Sequence, residues 1–169
     1  MDSEYFDSST FPAIFNAEAE AADIKSLLRE LRSDKSRICT SILTVQEVSV
    51  ASYLFGGDQG DNYSKIDRLA RIHGVTRDMA LLAARIEAAM LERARRMSKE
   101  QRQALSPRRK LDCFHIATAI ELRCKTIYSL DPGMLKCKEL IDARYTITFS
   151  RPTPKRGDLF RDDKGLRIN

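Results

Sequence analysis

Four acidic residues, far apart in the chain, are the side chains best suited to chemistry. Asp7 and Asp131 each stand at the end of an apolar run that reads as a β-strand. Asp112 and Glu47 stand at or near the start of helical patterns. The carboxyl ends of parallel strands and the amino ends of helices lie at the same rim of an α/β sheet. We therefore expect all four carboxylates to converge there.

Such a cluster implies a bound cation, because ionised carboxylates in one pocket repel one another. Oxygen ligands without His or Cys favour Mg²⁺ or Mn²⁺ over zinc. A divalent ion of this kind supplies a water that can hydrolyse a phosphodiester, and it neutralises charge on the phosphate. The expected catalytic metal ligands are Asp7, Glu47, Asp112 and Asp131.

Each acid also has an ordinary structural interpretation. Asp7 could simply start a turn, and Asp131 before Pro-Gly could simply end a strand. Glu47 could be the capping-box partner of Thr44, and Asp112 could cap a helix. For any one of these acids, the sequence does not decide between a structural and a catalytic role. The occurrence of four acids on one predicted rim favours a catalytic site.

Neighbouring polar residues extend the candidate site. Ser9 and Ser129 each lie two residues from an aspartate, so each could assist it by hydrogen bonding, or could be an ordinary turn or strand hydroxyl. His115 follows Asp112 by three residues on a similar helix face. Since His73 is the other histidine, a metal pair is not convincing, and we expect His115 to be packed and hydrogen-bonded.

The elements that must position these residues alternate between strand and helix. One helical pattern begins near Pro12 and continues to residue 34, and others begin near Thr44, Thr76 and Asp112. The predicted strands are residues 5–6, 37–41, 125–130 and 145–149. Alternation of this kind is typical of βαβ units and a mainly parallel sheet.

Length and composition favour a folded, unexported protein. The chain has 169 residues, 43% of them apolar and 31% charged, which suits one domain with a tail. No apolar run is long enough to cross a membrane, and the acidic start is unlike a signal peptide. The four cysteines form no C-x-x-C pair, so we expect buried, reduced thiols and a cytoplasmic location.

Positive charge is concentrated in two segments of a chain whose net charge is +5. Residues 93–110 hold eight basic residues against one acid, and residues 151–169 hold six against three. A basic strip beside an acidic remainder fits a polyanionic partner such as nucleic acid. Solvated helix faces and tails produce the same pattern, so charge alone does not decide.

Three segments together resemble a PIN-domain nuclease of the VapC type. The strongest is LDCFHIATAIELRCKTIYSLD, residues 111–131, with its D-x-x-H-x-A-x-A core followed by a strand and Ser-Leu-Asp. YFDSS near the start and ICTSILTVQEV resemble the first strand with D-x-S and the strand–Ser–helix–Glu element. They occur in family order, and the resemblance covers about residues 4–150.

The resemblance implies a fold, an activity and partners. The fold is a three-layer α/β/α sandwich with a central, mainly parallel sheet of about five strands, over residues 1–150, followed by a basic tail over residues 151–169. The activity is a Mg²⁺- or Mn²⁺-dependent endoribonuclease with ligands Asp7, Glu47, Asp112 and Asp131 and supporting hydroxyls on Ser9 and Ser129. A cognate antitoxin and a homodimer are the implied protein partners. The long basic connection at residues 93–110 and the tail exceed what compact toxins carry.

Two other functions remain open. A non-catalytic module of the same fold could bind RNA or a protein through the basic surface, although it would have no reason to keep four repelling acids. A phosphatase or receiver domain could also use an acidic metal site. The first strand, however, lacks a D-x-D pair, and the last lacks the usual lysine.

Overall fold

A five-stranded parallel sheet forms the centre of the molecule. The computed structural model describes residues 2–55, 62–96, 98, 109–139, 141 and 144–154. The strand order is β3-β2-β1-β4-β5, and every neighbouring pair is parallel. The strands are β1 Ser3–Phe6, β2 Arg37–Ser41, β3 Arg71–His73, β4 Cys124–Tyr128 and β5 Thr148–Ser150. The first strand is therefore central, and Asp7 follows it directly.

Helices cover both faces of this sheet. The described helices are α1 Thr10–Phe15, α2 Ala21–Ser33, α3 Ile42–Phe55, α4 Asn62–Asp67, α5 Arg77–Arg95, α6 Arg109–Glu121 and α7 Pro132–Lys136, the last followed by a 3₁₀ turn, Cys137–Glu139. None of these helices is long and apolar enough to cross a lipid bilayer.

Alternate strand residues divide the core into two halves. Tyr5, Cys39 and Ile127 pack with apolar residues of α5, α6 and α7. Their chain neighbours Phe6 and Tyr128 pack with α1, α2, α3 and α4 on the other side. This two-residue alternation is the geometry of a strand buried on both faces. The predicted three-layer α/β/α sandwich with about five parallel strands is confirmed.

Several predicted elements agree with the structure. The strand at residues 37–41 is found with the predicted bounds. Thr76 caps α5, where its hydroxyl accepts a hydrogen bond from the Met79 amide at 3.2 Å. All four cysteines are buried and free, as expected from their spacing.

The helix predicted from Pro12 to residue 34 is wrong, because two helices occupy that stretch. The chain leaves α1 through Ala17, whose backbone φ is +52°, and enters α2 at Ala21. A left-handed residue at a helix end is usually glycine. An alanine there gives no stop signal in the sequence.

The capping box predicted at Thr44 and Glu47 is also wrong. The helix begins at Ile42, and the hydroxyl of Ser41 accepts a hydrogen bond from the Leu43 amide at 3.2 Å. Thr44 is already inside α3, and its Oγ1 lies 2.7 Å from Oγ1 of Thr40. The side chain of Glu47 is therefore not engaged in a capping box and extends from the second turn of α3.

Other boundaries shift by a few residues. The strand predicted at residues 125–130 ends at Tyr128, and the one predicted at residues 145–149 begins only at Thr148. The helix expected to start at Asp112 starts three residues earlier. The short strand β3 was not predicted. The loop at residues 56–61, most of the basic strip (97 and 99–108) and most of the tail (155–169) lie outside the described residues.

Candidate active site

The end of β1 holds a carboxylate that is fixed by two hydroxyl groups. Asp7 is 4% exposed, and its amide donates to the Tyr128 carbonyl at 2.9 Å, which continues the β1–β4 pairing. The hydroxyls of Ser9 and Ser129 each donate to Oδ2 of Asp7 at 2.9 Å. The two serine side chains predicted to assist an aspartate thus both hydrogen-bond to the same one.

The segment after β4 adds a second carboxylate beside the first. The amide of Asp131 donates to the Ser129 hydroxyl at 3.0 Å, and the amide of Leu130 donates to the Ser9 hydroxyl at 2.9 Å. Asp131 was predicted to end a strand, and this prediction is wrong. It is the N-cap of α7, and its Oδ1 accepts from the Gly133 amide at 2.7 Å. The serines therefore connect the end of β1 to the start of α7.

The first turn of α6 places a third carboxylate in a much less favourable position. Asp112 is 6% exposed, and within the described part of the chain its Oδ2 is buried without a hydrogen-bond partner. Burial, with the negative charges of Asp7, Asp131 and Glu47 adding to it, raises the pKa of Asp112 to about 7. The other three predicted acids therefore all act electrostatically on Asp112.

Glu47 enters the site through a buried histidine. Its Oε2 lies 2.7 Å from Nε2 of His115, which is 1% exposed. Nδ1 of the same ring lies 2.6 Å from the Tyr5 hydroxyl, and Nε2 lies 3.9 Å from Oδ1 of Asp7. Burial opposes a charged ring, but the hydrogen bond to Glu47 and the charge of Asp7 outweigh it and raise the pKa of His115.

The expectation of a packed, hydrogen-bonded His115 is confirmed, but the sequence did not identify its partners. The spacing D-x-x-H places the ring one turn after Asp112 on α6. Nothing in that spacing indicates that the ring would also contact β1 and α3. Tyr5 was considered only as a strand residue, and its hydroxyl is part of this site.

Three of the predicted acids act electrostatically on the fourth, Asp112, although the oxygens of the described residues do not form a ready-made metal cage. Among the residues that the structure describes, no group of three His, Cys, Asp or Glu side chains is already arranged to hold one metal ion. The acids come from β1, α3, α6 and the N-cap of α7, on the rim where the parallel strands end. Convergence on that rim follows the topology that the sequence indicated.

Comparison with known families identifies the domain. The family model of the PIN domain matches residues 5–140, a stretch that includes every acid described above. The chain belongs to the PIN-domain family. No curated protein matches the sequence as a relative.

Solved structures show the same fold for this PIN domain. VapBC2 of Rickettsia felis, solved bound to a DNA fragment from its promoter, matches with a TM-score of 0.62 at 12% identity, over 88% of this chain and 98% of that one. VapBC-1 of nontypeable Haemophilus influenzae matches with a TM-score of 0.57 at 10% identity, over 89% and 98%. VapC20 of Mycobacterium tuberculosis, a toxin that cleaves the sarcin–ricin loop, matches with a TM-score of 0.54 at 17% identity, over 81% and 95%. At these identities the likeness is one of fold.

Proposed function

We propose that this PIN domain is an endoribonuclease that depends on Mg²⁺ or Mn²⁺. The observation that carries the proposal is the state of Asp112, whose pKa is raised to about 7 by burial and by three other carboxylates. A pocket that concentrates negative charge in this way is unfavourable unless a cation or a proton occupies it. Perturbed acids in a cluster are typical of catalytic sites.

The residues fit a hard divalent ion. The donor set consists of carboxylate oxygens, which suit Mg²⁺ and Mn²⁺, and Oδ2 of Asp112 is a buried acceptor with no partner in the described chain. We assign Asp7, Glu47, Asp112 and Asp131 as the ligands, in part through water, since Mg²⁺ retains several waters when few carboxylates bind it. A bound ion would supply an activated water and neutralise charge on the scissile phosphate.

The chain's own groups prepare this site before any substrate binds. The hydroxyls of Ser9 and Ser129 hold Oδ2 of Asp7, which leaves its Oδ1 on the side of His115 and the pocket. Asp131 is fixed by the amide of Gly133. Carboxylates held in this way lose little side-chain freedom on binding an ion.

RNA is the substrate that we propose. Lys110 is exposed in the first turn of α6, two residues before Asp112, and can contact a phosphate beside the acidic pocket. The basic residues of the strip at 93–110 and of the tail at 151–169 would add sequence-independent attraction to the backbone. The structural neighbours include a toxin that cleaves the sarcin–ricin loop.

A role as the toxin of a toxin–antitoxin pair extends this proposal. Solved neighbours include VapBC complexes and a toxin–antitoxin complex from Klebsiella pneumoniae, which matches with a TM-score of 0.52 at 14% identity, over 89% of this chain and 98% of that one. We infer a cognate antitoxin and a homodimer as partners. Co-expression with the neighbouring gene product, followed by measurement of the mass of the purified complex, tests both.

Cleavage of total RNA is the test of the proposed activity. Wild type and Asp112→Asn are incubated with total RNA in Mn²⁺ and in EDTA, with Glu121→Gln as the matched control. Glu121 is an exposed acid at the other end of α6. Wild type and Glu121→Gln should cut RNA only with Mn²⁺, and Asp112→Asn should be inactive.

Other outcomes favour the alternatives. A non-catalytic module would bind RNA in the presence of EDTA and would not cleave it. Its RNA affinity would be the same in wild type and in Asp112→Asn. Hydrolysis of a phosphomonoester without cleavage of RNA would indicate a phosphatase. Either result contradicts the proposed function.

A further inference from the structure

One buried imidazole connects three of the elements that form the acidic pocket. His115 lies on α6, one turn after Asp112, and is 1% exposed. It contacts Glu47 of α3 through one ring nitrogen and Tyr5 of β1 through the other, at 2.7 and 2.6 Å. Through these two contacts the ring joins Glu47 of α3 to the β1 side of the site.

The direction of the bond to Glu47 follows from chemistry. An ionised carboxylate only accepts hydrogen bonds, so Nε2 of His115 must be the donor whether or not the ring is charged. Oδ1 of Asp7, at 3.9 Å from the same nitrogen, is beyond hydrogen-bond distance. The N–H of Nε2 is therefore directed at Glu47, and the Tyr5 hydroxyl fixes the ring from the other side.

We propose that His115 is a positioning residue that holds the Glu47 carboxylate toward the metal site, and that Tyr5 orients the ring for this task. The inference rests on the proposed function, because it assigns His115 a role toward the same ion. The side chain of Glu47 projects from the second turn of α3 and has three rotatable bonds. A hydrogen bond from a buried, immobile donor restricts these bonds and fixes Oε2 of Glu47 beside the site.

A purely structural role for His115 is the competing explanation. Its ring packs edge-on against Tyr5, with centroids 5.9 Å apart, and any substitution there disturbs the core. The two explanations differ in one respect. Packing depends on the volume of the side chain, whereas positioning depends on an N–H at the place of Nε2.

Two substitutions separate these explanations. His115→Gln keeps an N–H about as far from the backbone as Nε2, whereas His115→Asn is too short to reach Glu47. Mn²⁺ affinity is measured by calorimetry on the full chain for wild type and both variants. We expect His115→Gln to stay within about threefold of wild type and His115→Asn to bind about tenfold or more weakly. Tyr5→Phe should weaken binding by about threefold.

A metal-free measurement accompanies the titrations. Nitrogen-15 NMR of the wild-type ring should find a proton on Nε2, shifted by its bond to Glu47. An Nε2 without a proton overturns the proposal, and this result does not depend on whether any variant folds. Equal Mn²⁺ affinity in all the variants, or equal loss in Gln and Asn, overturns it as well. Failure of wild type itself to bind Mn²⁺ contradicts the proposed function first, and with it this inference.

Discussion

Two aspartates in the same pocket occupy opposite kinds of environment. Asp7, at the end of β1, accepts hydrogen bonds from the Ser9 and Ser129 hydroxyls. Asp112, on α6, has a buried oxygen without a partner in the described chain, and its pKa is raised to about 7. The comparison indicates that the two carboxylates are held differently. Two hydroxyl groups fix Asp7, whereas burial and neighbouring negative charge disfavour the ionised form of Asp112.

The largest expected effect is on the rate of RNA cleavage, where substitution of Asp7 and substitution of Asp112 should be equally damaging. Asp7→Asn and Asp112→Asn each remove a proposed ligand, so each should lower the rate of RNA cleavage by about 10³-fold or more, since a bound metal contributes several kcal/mol to the transition state. The check is the initial rate of cleavage in Mn²⁺, with Glu121→Gln as control. Retention of a tenth of the wild-type activity in either variant would contradict the assignment.

The next effect is on the pH dependence of the free energy of unfolding, and it arises from the raised pKa of Asp112. Below about pH 3 this carboxyl is protonated in both the folded and the unfolded chain, and it makes no difference to stability. As the pH rises from about 4 to 7, the unfolded chain loses the proton first, so the folded state is progressively destabilised. Above about pH 7 the full cost is present, at most about 4 kcal/mol for a rise from 3.8 to about 7.

Urea unfolding of the metal-free protein from pH 5 to pH 8 measures this cost. Asp112→Asn is the reference, since the other titrating groups are present in both proteins and the main electrostatic change at a second group is a lower pKa of His115. The free energy of unfolding of wild type, relative to the variant, should decrease with rising pH. A flat difference over this range would show that Asp112 is not the group that carries the repulsion.

A stability difference between the two asparagine variants comes next. At pH 8 without metal, Asp112→Asn should stabilise the protein by about 2 kcal/mol, or about 6 °C in Tm, because relief of repulsion exceeds the cost of a buried amide. Asp7→Asn should gain less, because it weakens two hydroxyl bonds. Thermal unfolding in EDTA checks the order. A larger gain for Asp7→Asn would reverse the comparison.

The smallest effects should come from the serines. Ser9→Ala and Ser129→Ala each remove one hydrogen bond to a charged oxygen, about 1.5 kcal/mol, and should lower the rate of RNA cleavage by about tenfold. Ser129→Ala should be the more severe, because this hydroxyl is fully buried and also accepts from the Asp131 amide. Equal rates of RNA cleavage for wild type and both variants would contradict a supporting role for the two serine hydroxyls.

The sequence predicted which rim of the sheet carries the four acids better than it predicted the element boundaries. Residues 37–41 hold an adjacent apolar pair, Ile38 and Cys39, and the β-branched Thr40, which was enough to identify β2. By contrast, β3 has three residues, Arg71–His73, two of which are basic or polar, so it carries no strand pattern. Helices α1, α2 and α6 each end near a non-glycine residue with positive φ: Ala17, Lys35 and Arg123. The end of α2 was nevertheless predicted within one residue, whereas the end of α1 at Phe15 was missed because no glycine marks it.

The site acids were identifiable because topology, rather than exact boundaries, brings them together. Asp131 was expected at a strand end and is a helix cap, and yet both positions lie on the same rim. The hydrogen bonds between side chains of the site could not be predicted from topology. The bonds of His115 to Tyr5 and Glu47 join residues 110 and 68 positions apart, and no local pattern records such distances.

The central claim is that Asp112 and its neighbours hold one divalent cation. Calorimetric titration of the metal-free protein with Mn²⁺, repeated at pH 6 in two buffers of different ionisation enthalpy, tests it most directly. Because the pKa of Asp112 is about 7, binding at pH 6 should release nearly one proton per ion from this group, and Asp112→Asn should bind much more weakly and release fewer protons per ion. Absence of saturable binding in wild type, or identical binding and proton release in Asp112→Asn, would contradict the account.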